Sequence, residues 1–268
     1  MIRIMTGLRK PKDTRLGRDV AGQVEAVGRN VTQFKPGDEV FGSCRGAFAE
    51  YVSAPESALA VKPDNLTFEQ AASLPIAGLT ALQGLRDKGK LQPGQKVLIN
   101  GAAGGVGTFA VQIAKSFGAD VTGVCSAGNV DMIRSIGADA TIDYAREDFT
   151  KGTQRYDLIF DCIGNHSLSA CRRVLNLNGR FVIVGASKVR TSLSHALKGM
   201  VLSWFVSQKF VMLVARLRKA DLTILGDLIQ TGKVTPVIDR CYSLSEVPEA
   251  IRYLEQGHAR GKVVITID

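Results

Sequence analysis

Four glycines fall within seven residues where Gly101-Ala102-Ala103-Gly104-Gly105-Val106-Gly107 follows the aliphatic run Lys96–Asn100. Glycine at this density lowers stability unless something must approach the backbone closely. Beyond it, Val106, Phe109, Ala110, Ile113, Ala114 and Phe117 recur at i, i+3, i+4, i+7 and i+8, which predicts a helix over 106–117 with one face in the core. A strand, a glycine turn and a helix N-terminus together make a phosphate site, because unpaired N–H groups point outward there and the helix dipole favours negative charge. Side chains at Gly104 and Gly105 would hold a phosphate away from that backbone. Gly104 and Gly107 occupy the second and third glycine positions of the dinucleotide fingerprint, with Ala102 at the first. The chemistry indicated is the binding of a dinucleotide pyrophosphate.

About 20 residues after such a turn, an acid commonly ends the second strand and binds the ribose 2′-hydroxyl. Here Ser126 falls at that place, in Cys125-Ser126-Ala127-Gly128-Asn129, and no carboxylate stands before Asp131. A 2′-phosphate meets no repulsion in this loop and can accept hydrogen bonds from Ser126 and Asn129, so NADPH is favoured over NADH. The loop itself holds no Lys or Arg, and Arg134 on the next expected helix reads equally as a ligand or as a solvated residue.

Other arrangements fail on spacing. Gly84-Leu85-Arg86-Asp87-Lys88-Gly89-Lys90 has the length of a P-loop, but Leu91 stands where Ser or Thr must hold the metal, and the stretch precedes a strand. It reads as a helix end. The Tyr-x-x-x-Lys pair of short-chain dehydrogenases is excluded, since the five tyrosines are followed four residues on by Pro55, Asp148, Phe160, Glu246 and Gly257. His166, His195 and His258 are not spaced with cysteine in a zinc pattern, so no metal site is expected. No catalytic general acid can be named, and His258 by itself reads as an exposed loop residue.

These residues need elements to hold them. A chain of 268 residues, 45% hydrophobic and 22% charged, can bury a sizeable core, which excludes disorder. From Asp19 to Lys62, short runs between glycine and proline (residues 19–28, 36–42, 47–54 and 57–63) predict antiparallel strands. Then Lys96–Asn100, Asp120–Cys125, Tyr156–Asp161 and residues 180–185 alternate with helical stretches, the pattern of parallel βαβ units. The tail reads as a helix over 220–232, a strand over 236–244, a helix over 247–256 and a last strand over 261–267. The net charge of +9 is concentrated in the first twenty residues and in residues 188–219, where seven basic groups stand without an acid. Residues 193–217 are apolar but interrupted by His195, Lys198, Lys209 and Arg216, so no membrane span is expected. Trp204 and Phe205 interleave with charge there, yet the stretch reads better as a sheet edge or lid than as a nucleic-acid surface. Five scattered cysteines without a CxxC pair suit reduced thiols and a cytoplasmic protein.

Taken together, residues 16–42, the segment 46–52, residues 78–85, the turn at 101–107, residues 136–144 and Phe160-Asp161-Cys162-Ile163-Gly164 resemble the medium-chain dehydrogenase/reductase superfamily, in its zinc-free quinone oxidoreductase branch. The resemblance runs nearly end to end. It implies an α/β fold: a Rossmann doubly wound parallel sheet over 76–239, plus an incomplete GroES-like β-rich catalytic domain from 1–75 and 240–268. It implies that Thr80 lies near the nicotinamide and that Ala103, Gly104, Gly105, Val106 and Gly107 take the pyrophosphate. It further implies that Ser126 with Tyr144 lies around the adenosine 2′-phosphate, that Gly164 and Gly185 flank the nicotinamide ribose, and that His258 and Lys262 close over the cofactor. Asp19 stands where zinc-dependent relatives carry a metal-binding segment. Family members begin with further strands that shape the substrate pocket, so an N-terminally truncated chain is expected. The implied activity is zinc-independent, NADPH-dependent hydride transfer to a quinone, enone or related small molecule. The alternative is a catalytically impaired nucleotide-binding protein. A homodimer joined through the Rossmann sheet edge is also implied, with residues 209–215 as the edge strand.

Overall fold

In the computed structural model, which describes residues 14–184 and 206–267, the glycine-punctuated start forms a three-stranded antiparallel sheet of β1 (Asp19–Gln23), β2 (Glu39–Ser43) and β3 (Leu59–Val61) in that spatial order. β1 and β2 pair from Asp19↔Ser43 to Gln23↔Glu39. The strand expected over 47–54 does not form. Beyond Cys44 the Gly46 and Phe48 N–H groups still donate to the Gly17 and Leu16 carbonyls at 3.2 and 3.3 Å, but Gly17 and Gly46 both hold positive φ (84° and 78°), which breaks the pleat.

Two helices follow. α1 (Phe68–Ser73) starts from a capping box in which Thr67 and Gln70 satisfy each other's backbone N–H groups, and α2 (Pro75–Gln83) carries proline at its first position. α2 runs into a π-helical turn, Gly84–Lys88, so the stretch with P-loop spacing is a helix end. Its first glycine serves packing, since a Cβ on Gly84 would overlap the Phe160 ring.

The alternating middle builds β4 (Lys96–Asn100), α3 (Gly105–Ser116), β5 (Asp120–Cys125), α4 (Val130–Ser135), β6 (Ala140–Asp143), β7 (Tyr156–Asp161), α5 (Leu168–Arg173), β8 (Leu175–Ile183) and β9 (Lys209–Met212). All six strands are parallel, in the order β6-β5-β4-β7-β8-β9. This is the doubly wound Rossmann order. The strands read as unbroken aliphatic runs because both faces are covered: Val97, Ile99, Leu158 and Phe160 enter one hydrophobic cluster, while Leu98, Ile159 and Phe181 enter the other. β8 begins five residues before its expected start, with Asn178 at φ 63° inside it.

α3 departs from a one-faced helix. Thr108, Val111 and Gln112 are buried as well as Phe109, Ala110 and Ile113, because a later segment covers the second face. There the Gln112 amide donates to the Thr235 carbonyl at 2.9 Å and accepts the Thr235 N–H at 2.7 Å. α6 (Lys219–Gln230) docks on α2 through buried Asp221, which pairs with Arg86 at 2.8 Å and accepts from Gln83 at 2.7 Å. The tail ends with β10 (Ile238–Ser243), α7 (Val247–Glu255) and β11 (Lys262–Thr266), and β10 and β11 pair parallel as a separate two-stranded sheet. One hydrophobic cluster joins Phe41 and Ala60 of the antiparallel part to Leu74, Ile99 and Ile113. Gly185, His195, Trp204 and Phe205 lie outside the described residues. Among those described, no helix is long and apolar enough to cross a membrane.

Candidate functional site

Strand order reverses between β4 and β7, so a crevice opens beyond their carboxyl ends, where ligands of doubly wound sheets bind. Asn100 ends β4 and Asp161 ends β7, both buried. The Asn100 amide donates to Asp161 at 2.8 Å and to Asn165 at 3.0 Å, while the same Asp161 oxygen accepts the N–H groups of Ile163 (3.1 Å) and Gly164 (2.9 Å). These bonds pin the loop after β7, with Gly164 at φ 69°, against the glycine turn after β4.

Within that turn, Gly101 and Ala102 donate their N–H groups to the Val124 carbonyl at 3.2 and 3.0 Å, which ties it to β5. The next glycines serve different ends. A Cβ on Gly107 would overlap the Gly101 carbonyl oxygen and lie 2.7 Å from the Ala102 carbonyl carbon, so Gly107 lets the helix pack on the turn. A Cβ on Gly104 would meet nothing nearer than the Gly101 oxygen at 3.5 Å, and Gly104 holds an ordinary extended backbone (φ −82°, ψ 174°). Packing therefore does not require glycine at 104, whose outward face is open to a ligand. Ala103 is nearly buried; Gly105 and Val106 are half-buried at the head of α3.

The Gly257–Lys262 segment lies across this turn. The Gly261 N–H donates to the Ala103 carbonyl at 2.8 Å, and Gly104 and Gly261 form an isolated parallel bridge. A Cβ on Gly105 would come 3.1 Å from the Lys262 side chain, whose ammonium lies 3.6 Å from Asp19 at the start of β1. Asp19 also accepts the Ile76 N–H at 3.1 Å. Burial holds its carboxyl above the usual range, against the opposing pull of Lys262 and of that N–H. Thr80 lies one helical turn beyond Ile76 and donates its hydroxyl to the Ile76 carbonyl at 2.6 Å. His258 is an exposed loop residue in the same segment.

On the far side of the turn, the ends of β5 and β6 meet where the Tyr144 N–H donates to the Cys125 carbonyl at 3.1 Å, leaving Tyr144 58% exposed. Ser126 precedes a 3₁₀ turn, Ala127–Asn129, and its hydroxyl oxygen accepts the Asn129 amide at 3.1 Å. The other atom of that amide, Oδ1, is buried without a hydrogen-bond partner. A buried unsatisfied acceptor costs about 1–3 kcal/mol, which a donor from a ligand would offset. A guanidinium nitrogen of Arg260 lies 3.7 Å from where a Cβ on Gly128 would stand. Sequence spacing showed neither Arg260 nor the Asp19–Lys262 pair, because each joins residues far apart in the chain. The open Gly104 face, the orphaned Asn129 oxygen and these cations fit a dinucleotide.

No group of three or more His, Cys, Asp or Glu among the described residues could hold a metal ion. One matching family carries zinc in its description.

Residues 2–64 match the alcohol dehydrogenase GroES-like domain family, and residues 136–265 match the zinc-binding dehydrogenase family. The chain is 35% identical to the mitochondrial NAD(P)H oxidoreductase RTN4IP1 of Mus musculus, over 94% of this chain and 70% of that protein. It is 36% identical to the 2-methylene-furan-3-one reductase of Solanum lycopersicum, covering 95% of this chain and 64% of that one. Among solved structures, the quinone oxidoreductase of Coxiella burnetii superposes with a TM-score of 0.86 at 32% identity, over 97% of this chain and 81% of that one. With a Rossmann sheet, a GroES-like region and relatives of this identity and coverage, the chain belongs to the medium-chain dehydrogenase/reductase superfamily, in its quinone oxidoreductase branch.

Proposed function

We propose that the chain is a zinc-independent, NADPH-dependent oxidoreductase that reduces a quinone, an enone or a related activated alkene or carbonyl. The observation that carries this reading is the open face of Gly104 in the crevice between β4 and β7, a glycine that packing does not explain. NADPH, when bound, supplies the hydride. The chain's own contribution is placement. The turn at the head of α3 would hold the pyrophosphate, with the Lys262 side chain beside Gly105, while the Gly104 N–H is itself spent on the Gly101 carbonyl within the turn. Asp161 fixes the Ile163–Gly164 backbone, which with Thr80 would line the nicotinamide end. The proton comes from water or from a polar side chain. Relatives named for NAD(P)H, quinone and alkenal/one reduction support this class of chemistry.

The reading extends to a homodimer joined through β9, which ends the parallel sheet, and to a reducing cytoplasmic compartment that suits five free cysteines. Sedimentation at micromolar concentration is expected to give a dimer; a monomer argues against the edge contact. Loss of NADPH absorbance in the presence of a quinone and 2-alkenal panel tests the activity. Turnover of at least one acceptor is the expected result. Tight NADPH binding with no turnover across the panel would instead favour a nucleotide-binding protein without reductase activity.

A further inference from the structure

We infer, resting on the dinucleotide reading above, that Asp161 is a positioning residue: it couples the phosphate turn after β4 to the loop after β7, so that filling the adenosine end orders the nicotinamide end. Asn100 and Asp161 are register partners at the ends of adjacent strands, 4% and 2% exposed. A carboxylate this buried is costly unless hydrogen bonds meet its charge. The donors that meet it come from both loops. The Asn100 amide, at the root of the turn, and the Ile163 and Gly164 N–H groups, in the second loop, converge on one Asp161 oxygen. Bonds to a charged acceptor are stronger than neutral ones, so this oxygen is a firm joint. Further contacts tie the same two segments. The Cys162 N–H donates to the Asn100 carbonyl at 3.0 Å, and the Asn100 amide also reaches Asn165 at 3.0 Å. The Ile163 side chain lies over Gly101, where a Cβ would come within 2.7 Å of it. Behind the loop, burial and the Asp161 charge push the Cys162 and Cys171 thiols up, Cys171 to about 12, so both stay protonated and leave Asp161 as the anion at this spot.

The turn and residues 162–165 therefore move together. A ligand that stills the turn stills the second loop through the shared carboxylate, and by reciprocity an ordered loop strengthens binding at the turn. A dinucleotide then uses contacts to its unreactive half to hold its reacting half in place.

Hydrogen–deuterium exchange of the whole chain with the fragments 2′,5′-ADP and 5′-ADP, which fill the adenosine end and carry no nicotinamide, tests this. In the wild type, a bound fragment is expected to slow exchange about 5- to 10-fold at residues 162–165 as well as at the turn 101–107. Asp161→Asn sets an amide donor against the Asn100 amide; it is expected to bind the fragment within about twofold of the wild type by calorimetry, with protection confined to 101–107. Asn100→Asp combined with Asp161→Asn exchanges donor and acceptor and is expected to return protection to 162–165, which a loss of general stability would not do. Protection that stops at the turn in the wild type, or that reaches 162–165 equally in Asp161→Asn, overturns the coupling while leaving the nucleotide site standing. The wild-type comparison decides even if the single variant misfolds. Wild-type protein that binds neither fragment overturns both the coupling and the site.

Discussion

At the scale of single residues, the site separates glycines that serve packing from those that serve binding. Gly107→Ala drives a methyl into the Gly101 and Ala102 backbone and is expected to cost roughly 1–3 kcal/mol, read as a lowered melting temperature. Gly104→Ala has room and an ordinary backbone, so it is expected to melt as the wild type does while losing NADPH affinity by about tenfold or more. A parallel loss of stability in both variants would show that Gly104 is structural. The spacing of the turn made both glycines visible in the sequence without telling them apart, because the difference depends on which atoms face each Cα. Ser126 and Asn129 were legible as a loop lacking a carboxylate. Arg260 was not legible as their companion, since its partner surface lies more than a hundred residues upstream.

At the scale of elements, legibility followed burial. The β4, β5 and β7 runs are covered on both faces, so they stand out as uninterrupted aliphatic stretches and were placed to the residue. The run at 47–54 alternates like a strand, but glycine conformations at 17 and 46 take the chain out of the ladder, and Tyr51 is 76% exposed. Propensity there was overridden by the turn on either side. α3 looked amphipathic because Thr108 and Gln112 are polar, yet Gln112 is a buried clasp on Thr235. Short α1 depends on its ends: Thr67→Ala removes the acceptor for the Gln70 N–H and is expected to destabilise the chain by about 1 kcal/mol in chemical denaturation.

At the scale of the molecule, several carboxylates titrate below their ordinary range, which fixes the direction of the acid response. Hydrogen bonds from Arg86 hold Asp87 down, and the Thr150 hydroxyl does the same for Asp148. Burial opposes ionisation of Asp139, but the Lys115 ammonium at 2.8 Å and the Val121 N–H at 2.7 Å overcome it. Folded-state values depressed in this way stabilise the fold above the unfolded-state value near 3.8, and the stabilisation is lost as pH falls through the folded values. Thermal melts are therefore expected to drop steeply below about pH 4, and Asp139→Asn should flatten part of that slope. A slope unchanged in that variant would remove Asp139 from the account.

The hydrogen bond from Gly261 to Ala103 also bears on the order in which the molecule becomes competent during its synthesis. The strand, turn and helix of the first βαβ unit emerge from the ribosome well before the segment that clasps them, and the Gln112 clasp on Thr235 is late as well. Contacts this distant in sequence close last. A nascent chain can thus carry a nearly finished parallel sheet whose phosphate turn still lacks its neighbour, and high-affinity nucleotide capture is expected to arise only once the C-terminal strand has docked.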